Sequence, residues 1–240
     1  MGSTLCIAAC ELASAGALPT DSAELYRDVF RQPQAALAEL EFGVADSGSP
    51  HDSTTNHAVA ELHREMQHER ATGRAVVTQW KDDNVWDVEP LEFVKTVCRV
   101  KAWTTFVAPL LVGGIVGGAD DATLAALRRF AVLLGVASHV ADETRRDRDL
   151  CGRTLAIAHA VRSAEPGLRE ELVAELAQEQ PKTDLLATAM QVAGSHAFRR
   201  AFVRRLATQA RAALAAAYDG PLETDSYLRL DGLAVALLER

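Results

Sequence analysis

The stretch "GVASHVADETRRD", residues 135 to 147, closes a long apolar segment with two adjacent acids and then a knot of arginines. Upstream, Leu124, Leu127, Phe130, Leu134 and Val140 recur at helical spacing, and Asp120 or Asp121 stands where an N-cap belongs. The pattern predicts one amphipathic helix ending near these acids. On it Asp142 and Glu143 project about 100° apart, with Arg146 one turn beyond Asp142 and Asp147 one turn beyond Glu143. Such spacings serve either two ion pairs at a solvated helix end or one carboxylate set turned toward a metal ion.

Working outward, the rest of the chain also reads as helix. Alanine and leucine dominate, aromatics are few and β-branched runs are rare, which predicts an all-α protein. A helix is expected from about Thr4 to Leu18, stopped by Pro19, and a second one through Tyr26 and Phe30 after the N-cap signal "TDSAEL". Residues 42 to 56, "FGVADSGSPHDSTTN", collect Gly, Ser, Pro, Asp and Asn without an apolar period and are expected to be a mobile loop. Helical periodicity resumes from His57 to Trp80, breaks at "KDDNVWDVEP", and returns from Leu91 to Val116. Beyond the opening stretch, helices are expected over Ala156–Arg162, Leu168–Ala177, Leu185–Ala216 and Ser226–Leu238. All 240 residues are read as one helical domain.

Composition excludes several classes of function. A net charge of −8 argues against binding nucleic acid by phosphate neutralisation. Cys6, Cys10, Cys98 and Cys151 lack zinc-type spacing and read as buried free thiols, which points to a reducing, cytoplasmic compartment. "MGSTLCIAACELASAGAL" lacks a basic leader region and is interrupted by Glu11, so it reads as a core helix. No transmembrane segment is expected, because "FVAPLLVGGIVGG" is short and broken by glycines. His57, His63 and His68 share no ligand face, and "FRRAFVRRLATQAR" reads as a solvated basic face opposite a Phe198, Phe202, Leu206 core stripe.

The segment from Leu127 to Val161 resembles the second conserved region of the trans-isoprenyl diphosphate synthases, a helix reading G-L-A-F-Q-I-x-D-D-x-x-D followed by a basic loop and G-K-x-T-L. Gly135, Val136 and Ala137 match its first three positions, Ser138 and His139 replace Phe-Gln, Asp142 and Glu143 replace the paired aspartates, and Arg146 replaces the last aspartate. "GRTL", Gly152 to Leu155, stands for the glycine-lysine element. Upstream, "ATGRAVV" is similar to the E-G-Q helix, and Lys101 followed by Ala102 stands for that family's lysine-threonine pair. The resemblance implies an isoprenoid-synthase-type helical bundle. It also implies Asp142 and Glu143 as Mg²⁺ ligands, Lys101, Arg153 and Arg74 as diphosphate contacts, and His139 at the position of a substrate-orienting glutamine.

The departures from that pattern matter as much as the matches. The family's first aspartate-rich motif has no counterpart in residues 1 to 57, and "IAACELASAGAL" is similar to a helix that follows it, so an N-terminally truncated member is expected. Arg146 places a cation where Mg²⁺ would sit. "DDNVWD", residues 82 to 87, is similar to an acid-rich cyclase motif but falls in a turn, where capping and solvation explain it. Two readings stay open. The favoured one is a diverged prenyltransferase or terpene-synthase-like enzyme that acts on or binds allylic isoprenyl diphosphates, with degraded or partner-dependent activity and with Mg²⁺ needed only in that case. The alternative is a non-catalytic subunit that pairs with a complete synthase and modulates it. Either is expected to be a dimer, homomeric or heteromeric.

Overall fold

Val94, Cys98, Ala102, Phe106 and Leu110 are buried and recur every four residues along the most apolar helix of the chain. In a regular α-helix each step of four overshoots a full turn by about 40°, so five such residues would spiral off one face. Two π-helical turns, Val94–Cys98 and Trp103–Val107, under-wind the helix and bring the stripe back onto one side.

The computed structural model describes residues 5, 8, 9, 12, 13, 53–143, 153–178, 181, 183–216, 218 and 224–239. Among these all regular structure is helical, with no strand. Leu5, Ala8, Ala9 and Leu12 are helical and buried in the main core. From residue 53 the order is α1 (Ser53–Asp82), α2 (Pro90–Val116), α3 (Asp121–Asp142), α4 (Leu155–Ser163), α5 (Pro166–Leu176), α6 (Thr183–Val192), α7 (Ser195–Ala216) and α8 (Asp225–Leu238). The helix expected through Tyr26 and Phe30 lies outside the described residues, as does most of the expected loop at 42 to 56. Its last four residues, 53 to 56, are instead the first turn of α1.

Helix α3 is the centre of the bundle. Its N-cap is Asp120, whose side chain accepts from the Thr123 amide at 2.8 Å, and hydrogen bonding from the Thr123 side chain, then from its amide, holds the carboxyl below its usual range. Leu127, Phe130, Leu134, Gly135 and Val140 are buried against α2 on one side and α7 on the other. A Cβ on Gly135 would lie 2.6 Å from Ala102 Cβ and 3.1 Å from Phe106 Cδ2, so only glycine lets α2 and α3 approach this closely. Gly73 does the same for α1, where a Cβ would overlap Val100. Arg128 of α3 reaches back to Glu65 of α1 in a two-bond pair of 2.6 and 2.9 Å, crossing the ring of Trp103 at 5.2 Å. By length and composition α2 and α3 could each cross a bilayer; here their apolar residues face other helices.

Two helices differ from the sequence reading. The expected single helix from Leu185 to Ala216 is split into α6 and α7 at Gly194, which has φ +64°. An isolated glycine inside a helical pattern is tolerated at a cost, so the sequence alone leaves that break ambiguous. The buried face of α7 is Ser195, Arg199, Val203, Ala207, Ala210 and Leu214, while Phe198, Phe202 and Leu206 are only half-buried. Alanines at 207, 210 and 213 let α7 lie close on α3 and α8. A second, smaller core forms where Ile157, Val161, Leu172, Leu176, Leu186 and Met190 join α4, α5 and α6. At its edge the His159 ring stacks on Phe198 at 4.1 Å and Nδ1 meets Ser195 Oγ at 3.0 Å.

Gly135→Ala is expected to destabilise the fold by about 1–3 kcal/mol through overpacking, whereas Gly232→Ala, in open space on α8, should be neutral or stabilising. Urea unfolding midpoints compare the two. Burial lowers the His159 pKa below 6.5, so its contribution is complete above that pH and lost as pH falls through the depressed folded value. Unfolding free energy should therefore decline on acidification, and more shallowly in His159→Gln.

Candidate functional site

Asp142 and Glu143 end α3 side by side, yet their surroundings differ. Asp142 is exposed, while Glu143 is only 4% exposed. Its Oε2 accepts the Leu155 amide at 2.9 Å, and the Thr154 hydroxyl accepts the Ile157 amide at 3.3 Å. Two of the amides left open at the start of α4 are thereby satisfied, and a carboxylate faces the positive end of that helix dipole. Glu143 thus ties the end of α3 to the start of α4.

Arg153 is drawn into the same junction from the other side. Its Nη2 donates to the carbonyls of Trp80 at 2.8 Å and Val85 at 2.7 Å, and its Nε to Val85 at 3.2 Å. The guanidinium lies 4.2 Å from the centroid of the Trp86 ring, and burial makes it less basic than usual. Trp86 donates to Asn84 Oδ1 at 2.9 Å, and Asn84 itself has φ +52°. The "DDNVWD" stretch is therefore a turn closed by Asn84 and Val85 amides bonding to Lys81 and Trp80 carbonyls. Asp87 and Glu89 receive Arg162 of α4 at 3.0 and 2.6 Å, raising the basicity of that guanidinium. Arg169 donates to the carbonyls of Arg162 and Ala164, capping the far end of α4. Arg153 at one end and Arg162 at the other hold α4 to the α1–α2 turn.

Of the remaining expected residues, Lys101 and Arg74 lie higher in the bundle. Lys101 is half-buried on α2, and its carbonyl accepts from Thr104 and Thr105 at 3.1 Å each. Ala102 faces Gly135, and Gly135 to Asp142 spans about 10 Å of helix rise, so Lys101 stands roughly two turns from the acids. Arg74 is exposed on α1 beside Gly73, at the level of Val100 and Lys101. His139 is half-buried on α3, one turn before Glu143. The site residues therefore form two groups, Arg74 with Lys101 above and His139, Asp142, Glu143 and Arg153 below. Sequence reasoning missed Trp80, Val85 and Trp86 as partners of Arg153. The one signal for them was an arginine and a tryptophan flanking segments already paired by resemblance.

A magnesium ion needs several hard oxygen ligands at near-octahedral geometry. Among the described residues no three His, Cys, Asp or Glu side chains converge to hold a metal, and the Glu143 carboxylate is turned onto a backbone amide. The donor set described here does not fit such an ion.

No protein-family model matches the chain, and no curated protein sequence does. Solved structures do. A decaprenyl diphosphate synthase from Rhodobacter capsulatus superposes with a TM-score of 0.75 at 19% identity, covering 100% of this chain and 84% of that one. A polyprenyl synthase from Roseobacter denitrificans gives 0.73 at 20% identity with the same coverage. A geranylgeranyl pyrophosphate synthase from Corynebacterium glutamicum, solved with isoprenyl diphosphate and magnesium, gives 0.70 at 18% identity, covering 86% of this chain and 61% of that one. The chain therefore has the all-α trans-isoprenyl diphosphate synthase fold.

Glu143→Ala leaves the buried Leu155 amide without that acceptor and should cost about 1–3 kcal/mol, while Glu143→Gln, which keeps an acceptor oxygen, should cost less. Chemical denaturation of the three proteins measures the difference.

Proposed function

We propose that this chain is a non-catalytic protein of the isoprenyl diphosphate synthase fold that works as a subunit beside a complete synthase. One observation carries the reading. Two of the residues that the resemblance assigns to metal and diphosphate are engaged as structural ties, Glu143 on the Leu155 amide and Arg153 on the carbonyls of Trp80 and Val85. A guanidinium that donates its Nε and Nη2 hydrogens to two carbonyls and stacks on an indole keeps only Nη1 for a diphosphate, so it has to leave those partners before it can grip one with its two-pronged edge. The arginine at position 146, where the resembling motif carries an aspartate, supports the same conclusion. Ionising an allylic diphosphate requires metal ions that neutralise the departing charge, and among the described residues no three acidic, histidine or cysteine side chains converge for that task.

In such a subunit the long central helices would supply a preformed apolar scaffold, and the partner would supply the chemistry. The competing reading, a catalyst that still binds an allylic diphosphate, draws support from exposed Asp142 and half-buried Lys101.

Melting the chain with Mg²⁺ and geranyl, farnesyl or geranylgeranyl diphosphate separates the two. A ligand bound only by the native state at a hundredfold excess over Kd adds about 2.7 kcal/mol. No shift is expected for the chain alone, whereas co-expression with a complete isoprenyl diphosphate synthase should yield a complex with an altered product profile. A Mg²⁺-dependent shift that disappears in Asp142→Ala would overturn the proposal in favour of the catalyst.

A further inference from the structure

His159 stands on α4 where the two hydrophobic cores meet. Ala193 packs into the second core and Phe198 into the main one, so the boundary crosses the corner at which α6 ends and α7 begins. Gly194 turns that corner at φ +64°, and a Cβ built on it would meet nothing within 4 Å, so no side chain wedges the turn. On α4, Leu155 and Ala158 belong to the main core while Ile157, Ala160 and Val161 belong to the second. The His159 ring joins the corner to α4, stacked on Phe198 at 4.1 Å with 17° between the planes and with Nδ1 3.0 Å from Ser195 Oγ.

That contact suits only a neutral ring. Ser195 is 0% exposed, and Nδ1 of His159 is the one partner its hydroxyl has among the described residues. With the ring hydrogen on Nε2 the hydroxyl donates to Nδ1; a proton added at Nδ1 makes the serine an acceptor and strands its own hydrogen in a buried site. The Phe198 amide bonds to the Gly194 carbonyl, so Ser195 opens α7, and the positive end of a 22-residue helix dipole lies at the same place. The surrounding charges offer an imidazolium no relief. Arg162 on α4 takes up Asp87 and Glu89, α7 brings His196, Arg199 and Arg200, and α6 brings only Asp184, about 15 Å of helix rise from Gly194. On α5, Arg169 is bonded to α4 carbonyls, and neither Glu170, Glu171 nor Glu175 pairs with His159. Burial pushes the His159 pKa down.

We propose that His159 is a proton-operated latch: neutral, it holds the α6–α7 corner on α4, and protonated, it lets that corner swing open about Gly194. Opening uncovers Ser195 and the ring of Phe198, and it slackens α4, whose first turn is tied to Glu143 at the foot of α3. The closed corner resists the proton, so opening grows easier as pH falls below the usual histidine range and levels off once the closed form is protonated too. The inference is independent of the functional reading, because the latch lies between α4 and α7 rather than at the acids.

Hydrogen–deuterium exchange of the full chain between about pH 8 and pH 5, corrected for the intrinsic pH dependence of amide exchange, tests it. Amides of α6 and of the first turn of α7 should exchange faster than those of α2 and α3, and their opening should grow by up to about tenfold per pH unit on acidification. The midpoint should coincide with that of the His159 ring followed by nuclear magnetic resonance. His159→Gln should remove the step, and Ser195→Ala, which takes away the hydroxyl that favours an unprotonated Nδ1, should move the midpoint to higher pH; the second variant decides alone if the first fails to fold. Corner amides that exchange only with the whole bundle, at the rate of α2 and α3, would overturn the inference. So would an opening indifferent to pH, a step that survives in His159→Gln, or a midpoint that Ser195→Ala leaves in place.

Discussion

The close approach of α2 and α3 at Ala102 and Gly135 is the constraint on which the rest of the bundle is built. With no side chain on Gly135, the backbone of α3 rests against Ala102 and Phe106, and a β-carbon there would have only 2.6 Å of room. That contact fixes the register of the two long helices. It sets Trp103 where Arg128 and Glu65 can clasp across its ring, binding α1 to α3 over α2. It also sets how far Lys101 stands from the acids at the foot of α3. The two π-helical turns belong to the same requirement, since without them the four-residue stripe of α2 would rotate away from α3 before reaching Leu110.

At the foot of α3 the same charges can serve chemistry or architecture, and burial decides which. A carboxylate at 4% exposure must be compensated, and Glu143 finds compensation in the amides at the start of α4. Arg153 finds it in two carbonyls and an aromatic face. Both groups are satisfied without a ligand, so neither of these two buried charges is left uncompensated to drive metal or diphosphate binding. The acid-rich turn after α1 is explained likewise, because Asp87 and Glu89 are partnered by Arg162 and the turn itself is closed by backbone bonds.

Much of the fold was legible in the sequence because helices announce themselves through apolar period and caps. The spans of α1 to α5 and α8 fall within a few residues of expectation, and Asp120 caps α3 as its position suggested. What escaped was set by tertiary contact. Gly194 breaks a helix that periodicity runs straight through, and Arg199 lies on the buried side of α7 although its residue type predicts the surface. The fold resemblance, carried by motif order and spacing, agrees with solved synthases at or below 20% identity. The roles within the site were less legible, because a motif match fixes the position of Glu143 and Arg153 in the chain but says nothing about which neighbour their charged ends meet.

That distinction determines how the remaining site residues should be weighed. Glu143 and Arg153 are held in place by the bundle itself, so their presence is explained by stability and carries no information about a ligand. Asp142 and Arg74 are exposed, and exposed charges contribute little to folding. Lys101, half-buried beside the α2–α3 contact, lies between these cases, since its methylene stem can pack while its amine reaches outward. Ligand chemistry therefore has to be argued from Asp142 at the foot of the bundle and from Arg74 and Lys101 above it. The Gly135 contact sets Lys101 about 10 Å along the helix axis from Asp142, so the donor-only ammonium and the carboxylate can act together only through a group long enough to span them, such as a diphosphate or a partner's side chains.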